Sequence, residues 1–162
     1  MHFCIMQQNM TPLIAKHLRD FYLGTNWATS GLLPVLKDVD VAMANATVNG
    51  CNTIAALSYH INYYVAAVAK VLEGEALVAK DADSFNHPAY HTEAEWQAFI
   101  QQAELDANRF ASALEKLSDD ILITPFTDQK YGNYFRNLHG IIEHCHYHLG
   151  QIVILKKMLS NQ

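Results

Sequence analysis

The 162-residue chain is long enough to bury a substantial core, and with 51% hydrophobic and 17% charged residues it has the composition of a folded globular protein, which excludes disorder. Its net charge of −5, without any cluster of lysine and arginine, argues against a nucleic-acid-binding surface. Its apolar runs are too short to span a bilayer, which takes roughly 20 residues, so the sequence predicts no membrane segment.

The N-terminus lacks the basic region and the long apolar core of a signal peptide. Three scattered cysteines, Cys4, Cys51 and Cys145, fit a reducing compartment better than a disulfide framework. We therefore predict one domain, residues 1–162, with a cytoplasmic location, and we interpret Cys145 as a buried structural thiol.

The first predicted helix follows Thr11, which is the expected N-cap with Pro12 at the first helical position. Its apolar residues recur at helical spacing, and the helix is predicted to end at Gly24. A second helical piece begins near Thr25, and we expect Trp27 to pack into the core at this junction. Residues 42–50 are weakly helical.

The second long helix is the clearest in the sequence. Asn52 or Thr53 caps it, and it runs to Gly74 with an apolar stripe at helical spacing, formed by Ile54, Leu57, Ile61, Tyr64, Val65, Val68 and Leu72. His60 lies on this apolar side, where a free imidazole needs a partner. The usual explanation is a satisfied core histidine, and the alternative is a metal ligand.

Residues 75–90 are predicted to connect this helix to a third long helix, which opens with a capping box from Thr92 to Glu95. A second connection spans residues 118–133, and its short β-rich run at 121–124 does not predict a sheet. The fourth long helix extends from about residue 133 to residue 159.

The fourth helix carries an unusual density of histidines. His144 and His148 are one turn apart and about 40° from each other, so their imidazoles can bind one metal ion, whereas His139 and His146 face the other way, toward solvent or an interface. The spacing alone is weak evidence, because a chain of this length with nine histidines is expected to contain about 0.5 pairs of this spacing by chance. A second pair, His87 and His91, encloses a proline and is not expected to be helical.

Four long amphipathic helices with long connections after the second and the third predict an all-α four-helix bundle, its first helix broken or followed by an extra piece. Bundles of this kind build metal sites from facing helices. His60, His144 and His148 would form a three-histidine site if the second and fourth helices face each other at that level.

These residues resemble the DinB-like four-helix bundles over nearly the whole chain. The resemblance rests on three stretches in the family's order, which are Gly24-Thr25-Asn26-Trp27, Leu57-Ser58-Tyr59-His60-Ile61 and His144-x-x-x-His148-Leu149-Gly150-Gln151-Ile152. It implies a divalent metal ion, typically zinc or nickel, on His60, His144 and His148. It also implies a homodimer. Family members include thiol-dependent S-transferases that use bacillithiol or mycothiol, a branch that isomerises maleylpyruvate, and many proteins without a known reaction.

Three neutral imidazoles leave a metal ion with an open position, which is the arrangement of a catalytic site. A thiol bound there is deprotonated and a bound water is acidified, so thiol S-transfer and hydrolysis are both candidate reactions on a small-molecule substrate. We favour S-transfer with a low-molecular-weight thiol as cosubstrate, since the sequence shows no clear general base. The third interpretation is a non-catalytic metal-binding or stress-related dimeric bundle.

Four further residues lie near the predicted ligands by helical phase: Tyr63, Tyr64, Tyr147 and Gln151. Each is expected either to orient a substrate or a ligand imidazole, or simply to pack. The pocket walls should come from the two connections. Ile142 and Val153 point away from the predicted ligands, toward either a dimer interface or the third helix.

Overall fold

The computed structural model describes residues 9–160, which form six α-helices joined by loops with short 3-10 turns. The helices are α1 (Met10–Leu23), α2 (Leu32–Leu36), α3 (Val41–Asn45), α4 (Ile54–Leu72), α5 (Glu93–Leu114) and α6 (Tyr134–Ser160). Three 3-10 helices lie in the long connections, at Asp81–Asp83, Asp119–Ile123 and Gln129–Tyr131. The predictions made for Cys4 and for the first eight residues concern a segment outside the described residues.

The four long helices α1, α4, α5 and α6 form the bundle. Helix α4 packs against α5 and α6, and α1 packs against the same two helices from the other side. The prediction of an all-α bundle is therefore confirmed, and the expected extra piece after the first helix consists of α2 and α3. Helices α4 and α6 are neighbours, which is the arrangement that a site shared between them requires.

Apolar side chains at helical spacing fill the space between these helices, because each helix buries one stripe and exposes the other. Full burial of each large apolar side chain contributes about 1.5–3 kcal/mol relative to exposure. Trp96 is fully buried, and its indole N–H donates to the carbonyl of Val39 at 2.7 Å, so the segment after α2 is tied to α5. Cys145 is fully buried as predicted, and burial raises the pKa of its thiol.

The helix ends show which local signals decide structure. Thr53 caps α4 by accepting from the amide of Ala56, and Thr92 and Glu95 form the predicted capping box of α5. Gly24 ends α1 with φ of 81°, the left-handed conformation that favours glycine. Gly31 lies directly against it, since a Cβ at Gly31 would come 2.2 Å from the amide nitrogen of Gly24.

The prediction that Thr11 caps α1 was wrong. The helix begins at Met10, two residues before the predicted Pro12, and its first amides are bound by a residue distant in the sequence. The carboxylate of Asp119 accepts from the amides of Met10 and Thr11 at 2.7 and 2.9 Å, and the Thr11 hydroxyl donates to the carbonyl of Leu117. The N-terminus of α1 is thus attached to the connection between α5 and α6.

The prediction for Trp27 was also wrong, because its side chain is 100% exposed. The turn between α1 and α2 instead directs Asn26 inward, where its side-chain amide donates to the carbonyls of Asp20 and Ser30. Leu32 and Leu36 fill the core at this junction.

The face of α6 opposite His144 is covered by α1. His146 points away from His144, as predicted, but it is half-buried rather than solvated, with its ring centroid 5.0 Å from that of Phe21. His139 is half-buried as well, and Ile142 is buried in the core, whereas Val153 is partly buried against it. The outer face of α6 therefore belongs mainly to the bundle interior.

The connection between α5 and α6 contains no strand within the described residues. Residues 119–123, which include part of the β-rich run, form a 3-10 turn, and a single bridge pairs Pro125 with Asn133. None of the helices between residues 9 and 160 combines the length and the apolar character that a membrane crossing needs.

Candidate metal centre

Three histidine side chains meet between α4 and α6. His60 comes from the middle of α4, while His144 and His148 come from successive turns of α6. One ring nitrogen from each residue lies within 4.8 Å of the others, and the Nε2 atoms of His60 and His144 are 2.9 Å apart. His60 and His148 are buried and His144 is half-buried. The structure thus brings together the three residues that the sequence analysis selected.

His60 is held in place by the connection that follows α4. Its Nδ1 lies 2.9 Å from the hydroxyl of Ser84, which itself donates to the carbonyl of Asp81 at 2.6 Å. Because the Ser84 proton is used in that way, the hydroxyl accepts from an Nδ1–H of His60, and the Nε2 lone pair is left facing the other two histidines. Phe85 stacks on the same ring, with a centroid distance of 4.0 Å and an interplanar angle of 13°.

His148 is held by its own helix. Its Nδ1 lies 2.7 Å from the side-chain oxygen of Gln151, three residues later on α6. An amide oxygen only accepts, so this contact also fixes the proton on Nδ1 and leaves Nε2 with a free lone pair. The geometry supports the interpretation of Gln151 as a residue that orients a ligand imidazole.

His144 differs from the other two because its Nδ1 is buried and has no hydrogen-bond partner among the described residues. Its Nε2 faces that of His60. Two imidazole nitrogens at this separation repel if both present lone pairs, unless a proton or a cation lies between them. Nδ1 of His144 is therefore the buried unsatisfied ring nitrogen of the three histidines among the described residues.

The environment of His60 and His144 favours their neutral form. Burial lowers the pKa of His144 to about 4, with further lowering by His148 and His60. Burial also lowers the pKa of His60, as does the proximity of His148. At neutral pH both rings are therefore unprotonated, which is the form that binds metal ions.

These observations fit a divalent metal ion. Two nitrogens 2.9 Å apart are close enough to share an ion at an ordinary metal–nitrogen distance of about 2.0–2.1 Å. A set of three neutral imidazoles suits zinc, nickel or iron and does not by itself select among them. The hydrogen bonds that His60 donates to Ser84 and that His148 donates to Gln151 provide the outer partners that metal-binding histidines usually have.

The three tyrosines predicted near the site have different roles in the structure. Tyr64 is part of it, since its ring centroid lies 5.2 Å from that of His60 and 5.3 Å from that of His144. Its hydroxyl donates to Asp81 at 2.8 Å, and burial, followed by this contact, raises its pKa. Tyr63 instead accepts a hydrogen bond from the amide of Lys80, and Tyr147 is 65% exposed beside His148.

A cavity of about 560 Å³ opens beside His60 and His144, within the size range of small-molecule sites. Its walls are mostly apolar and come from α4, from α6 and from both long connections, as expected. The lining includes Tyr64, Val68, Leu77, Ala79, Asp81, Phe126, Tyr131, Arg136, Asn137, Gly140, Ile141 and Glu143.

Sequence reasoning did not identify Ser84, Phe85 or Arg136. Ser84 and Phe85 lie in an irregular connection, 24 and 25 residues after His60, and no periodicity indicates where such a segment runs. Arg136 lies on α6, two residues after its start and about two turns before His144. This helical spacing was the one sequence signal that could have placed Arg136 near the site.

Comparison with known proteins assigns the chain to a family. The family model of the DinB superfamily matches residues 25–152, which include all three histidines and most of the bundle. Searches of curated proteins and of solved structures gave no significant match. Since the family model covers well over half of the sequence, the chain belongs to the DinB superfamily.

Proposed function

We propose that the protein is a metal-dependent enzyme in which His60, His144 and His148 hold a divalent ion, zinc or nickel, and that it catalyses S-transfer. In this reaction a low-molecular-weight thiol loses its proton and its sulfur forms a bond to a small electrophilic substrate, which either takes up the proton or loses a leaving group. The observation that carries the proposal is the convergence of three imidazoles, two of which, those of His60 and His144, line a cavity of about 560 Å³. The thiol S-transferases among DinB-like proteins, noted above as a resemblance, suggest the reaction class.

The chain supplies the binding and orientation that such a reaction needs. Ser84 and Gln151 fix the proton on the outer nitrogen of two histidines, so the inner nitrogens are available to an ion without rearrangement. A divalent ion held there would deprotonate a thiol that it binds, or lower the pKa of a bound water to about 7. Tyr64 and the apolar walls would exclude bulk water and position an electrophile.

Hydrolysis is the second catalytic candidate, because the same metal chemistry would activate water. It would need a group in the cavity that accepts a proton, and Asp81 and Glu143 are the carboxylates that line it. A purely structural metal site is the third candidate. The opening of the site onto a cavity favours catalysis over that third role, since structural sites are usually closed.

The experiment that tests the proposal is metal analysis of untagged protein by elemental mass spectrometry. We expect about one divalent ion per chain in the native protein and a loss of most of it in His60→Ala and His148→Ala. The control is His146→Ala, which removes a histidine from the same helix but from the opposite face. Absence of metal, together with no uptake of added zinc or nickel, would contradict both catalytic candidates.

A second measurement separates the reactions. Cobalt-loaded protein should develop a sulfur-to-metal charge-transfer absorption band when a small thiol is added, if the S-transferase proposal is correct. A loaded protein that gives no band with any thiol, and that hydrolyses ester or amide substrates, would show that the hydrolase is the correct candidate.

A further inference from the structure

The cavity beside the histidines contains one residue whose presence the metal centre does not explain. Arg136 lines the cavity in the first turn of α6, two turns before His144 and about 12 Å from it along the helix axis. Among residues 9–160, no carboxylate lies within 4.0 Å of its guanidinium group, although the other two arginines of the described chain each pair with a glutamate. The positive charge of Arg136 near the N-terminus of α6 also interacts unfavourably with the helix dipole.

The guanidinium group is nevertheless held in a defined position. Its Nη1 donates to the carbonyl of Tyr131 at 2.9 Å, and this contact leaves other N–H groups without a partner among the described residues. Its stem runs over Gly132, where an added Cβ would come 3.1 Å from the Cδ of Arg136. Gly132 has φ of 77°, so glycine suits both the turn and the space that the arginine occupies.

Charge is distributed unevenly along the cavity. Asp81 acts electrostatically on His60 and His144, and Glu143 is next to His144 in the sequence, so both carboxylates belong to the histidine end. Arg136 is the one lysine or arginine among the lining residues, and it lies at the other end of the α6 face. The cavity walls are mostly apolar. Arg136 itself is exposed, so its guanidinium group is accessible to a ligand that enters from solvent.

We propose that Arg136 is a specificity-determining residue that binds the carboxylate of a reactant, whose reactive end is placed at the histidines. Arginine suits this role because its planar fork matches a carboxylate through two parallel hydrogen bonds. The inference deepens the proposed function, on which it rests, by assigning the substrate class: a small molecule with an anionic end and an apolar middle. The carboxylate belongs either to the thiol or to its electrophilic partner.

The decisive test uses the full-length protein as purified and does not depend on catalysis. Hexanoate and hexanol are titrated while the NMR signals of the Arg136 side-chain N–H and of the amides of Gly132 and Gly140 are followed. We expect hexanoate to move these signals and to bind at least about tenfold more tightly than hexanol, as a charge-assisted hydrogen bond predicts. Arg136→Gln should abolish the preference, and Arg136→Lys should retain part of it.

The matched control is Lys130→Gln, which removes an equally positive and exposed side chain that does not line this cavity. It should keep the preference for hexanoate. Equal binding of hexanoate and hexanol by the native protein, or a preference that survives in Arg136→Gln, would overturn the proposal.

A parallel titration of cobalt-loaded protein with mercaptohexanoate and mercaptohexanol identifies the reactant that carries the carboxylate. Tighter binding of the mercapto acid assigns it to the thiol, and equal binding, together with the hexanoate preference, assigns it to the electrophile. If no cobalt binds, the proposed function fails, whereas the hexanoate titration still decides the role of Arg136.

Discussion

At the scale of single residues, the site depends on partners that orient the imidazoles. Helical phase predicted that His144 and His148 share a face and that Gln151 lies nearby, because all three belong to one regular helix. The same reasoning could not predict Ser84, which contacts His60 from an irregular loop. Helix geometry therefore predicts ligands and partners within one element, but not those supplied by a connection.

We expect Gln151→Ala to weaken zinc binding by about 10–100-fold, because His148 loses the acceptor that fixes its Nδ1 proton. The measurement is competition with a chelator of known affinity. Gln101→Ala, on the exposed face of α5, is the matched control and should leave the affinity unchanged. An unchanged affinity in Gln151→Ala would show that the contact has no role in holding the metal.

At the scale of helices, termini that are capped by adjacent residues were predictable, and those capped from a distance were not. The capping box of α5 lies within four residues, whereas Asp119 binds the first amides of α1 across 108 and 109 positions of sequence. Thr11 carried the local pattern of a cap, yet its hydroxyl bonds to Leu117 and Asp119 instead. A tertiary contact here overrides a local preference.

The stabilisation by Asp119 should depend on pH. The backbone amides of Met10 and Thr11 lower the pKa of its carboxyl group, so the folded state favours the charged form. Its contribution is present above the pKa of about 3.9 that an unfolded aspartate has, and it is lost as pH falls through the lower folded value. We expect Asp119→Asn to lower the Tm at neutral pH, with a difference from native protein that shrinks toward acidic pH.

Thermal unfolding across a pH series measures this effect. Asp38→Asn is the control, since that carboxylate is 77% exposed and lies 3.7 Å from the nearest lysine nitrogen. A Tm difference for Asp119→Asn that does not change with pH would show that the charge of Asp119 is unimportant.

At the scale of the whole molecule, the amphipathic pattern predicted the number of long helices, and the lengths of the connections indicated a bundle. Bundle topology does not determine the path of a 20-residue connection. The position of residues 73–92 beside His60 could therefore not be predicted and is known only from the structure. The site joins α4, α6 and this connection, and its occupancy should therefore affect the stability of the fold as a whole.

We expect zinc or nickel to raise the Tm of native protein. An ion that binds only the folded state stabilises it by about 2.7 kcal/mol at a hundred times its Kd. His60→Ala and His148→Ala should lose this shift, whereas His91→Ala, in an exposed loop, should keep it. Differential scanning calorimetry with and without metal measures the effect, and an equal shift in all variants would place the binding elsewhere.

The attachment of α1 to Asp119 also has a consequence for synthesis on the ribosome. Helix α1 has 14 residues and is too short to be stable alone in water. Asp119, whose carboxylate binds the first amides of α1, is translated 109 residues after Met10. At roughly 5–20 residues per second, this separation corresponds to a delay of about 5–20 seconds. The N-terminal helix of this bundle is therefore completed late, after most of the chain has emerged.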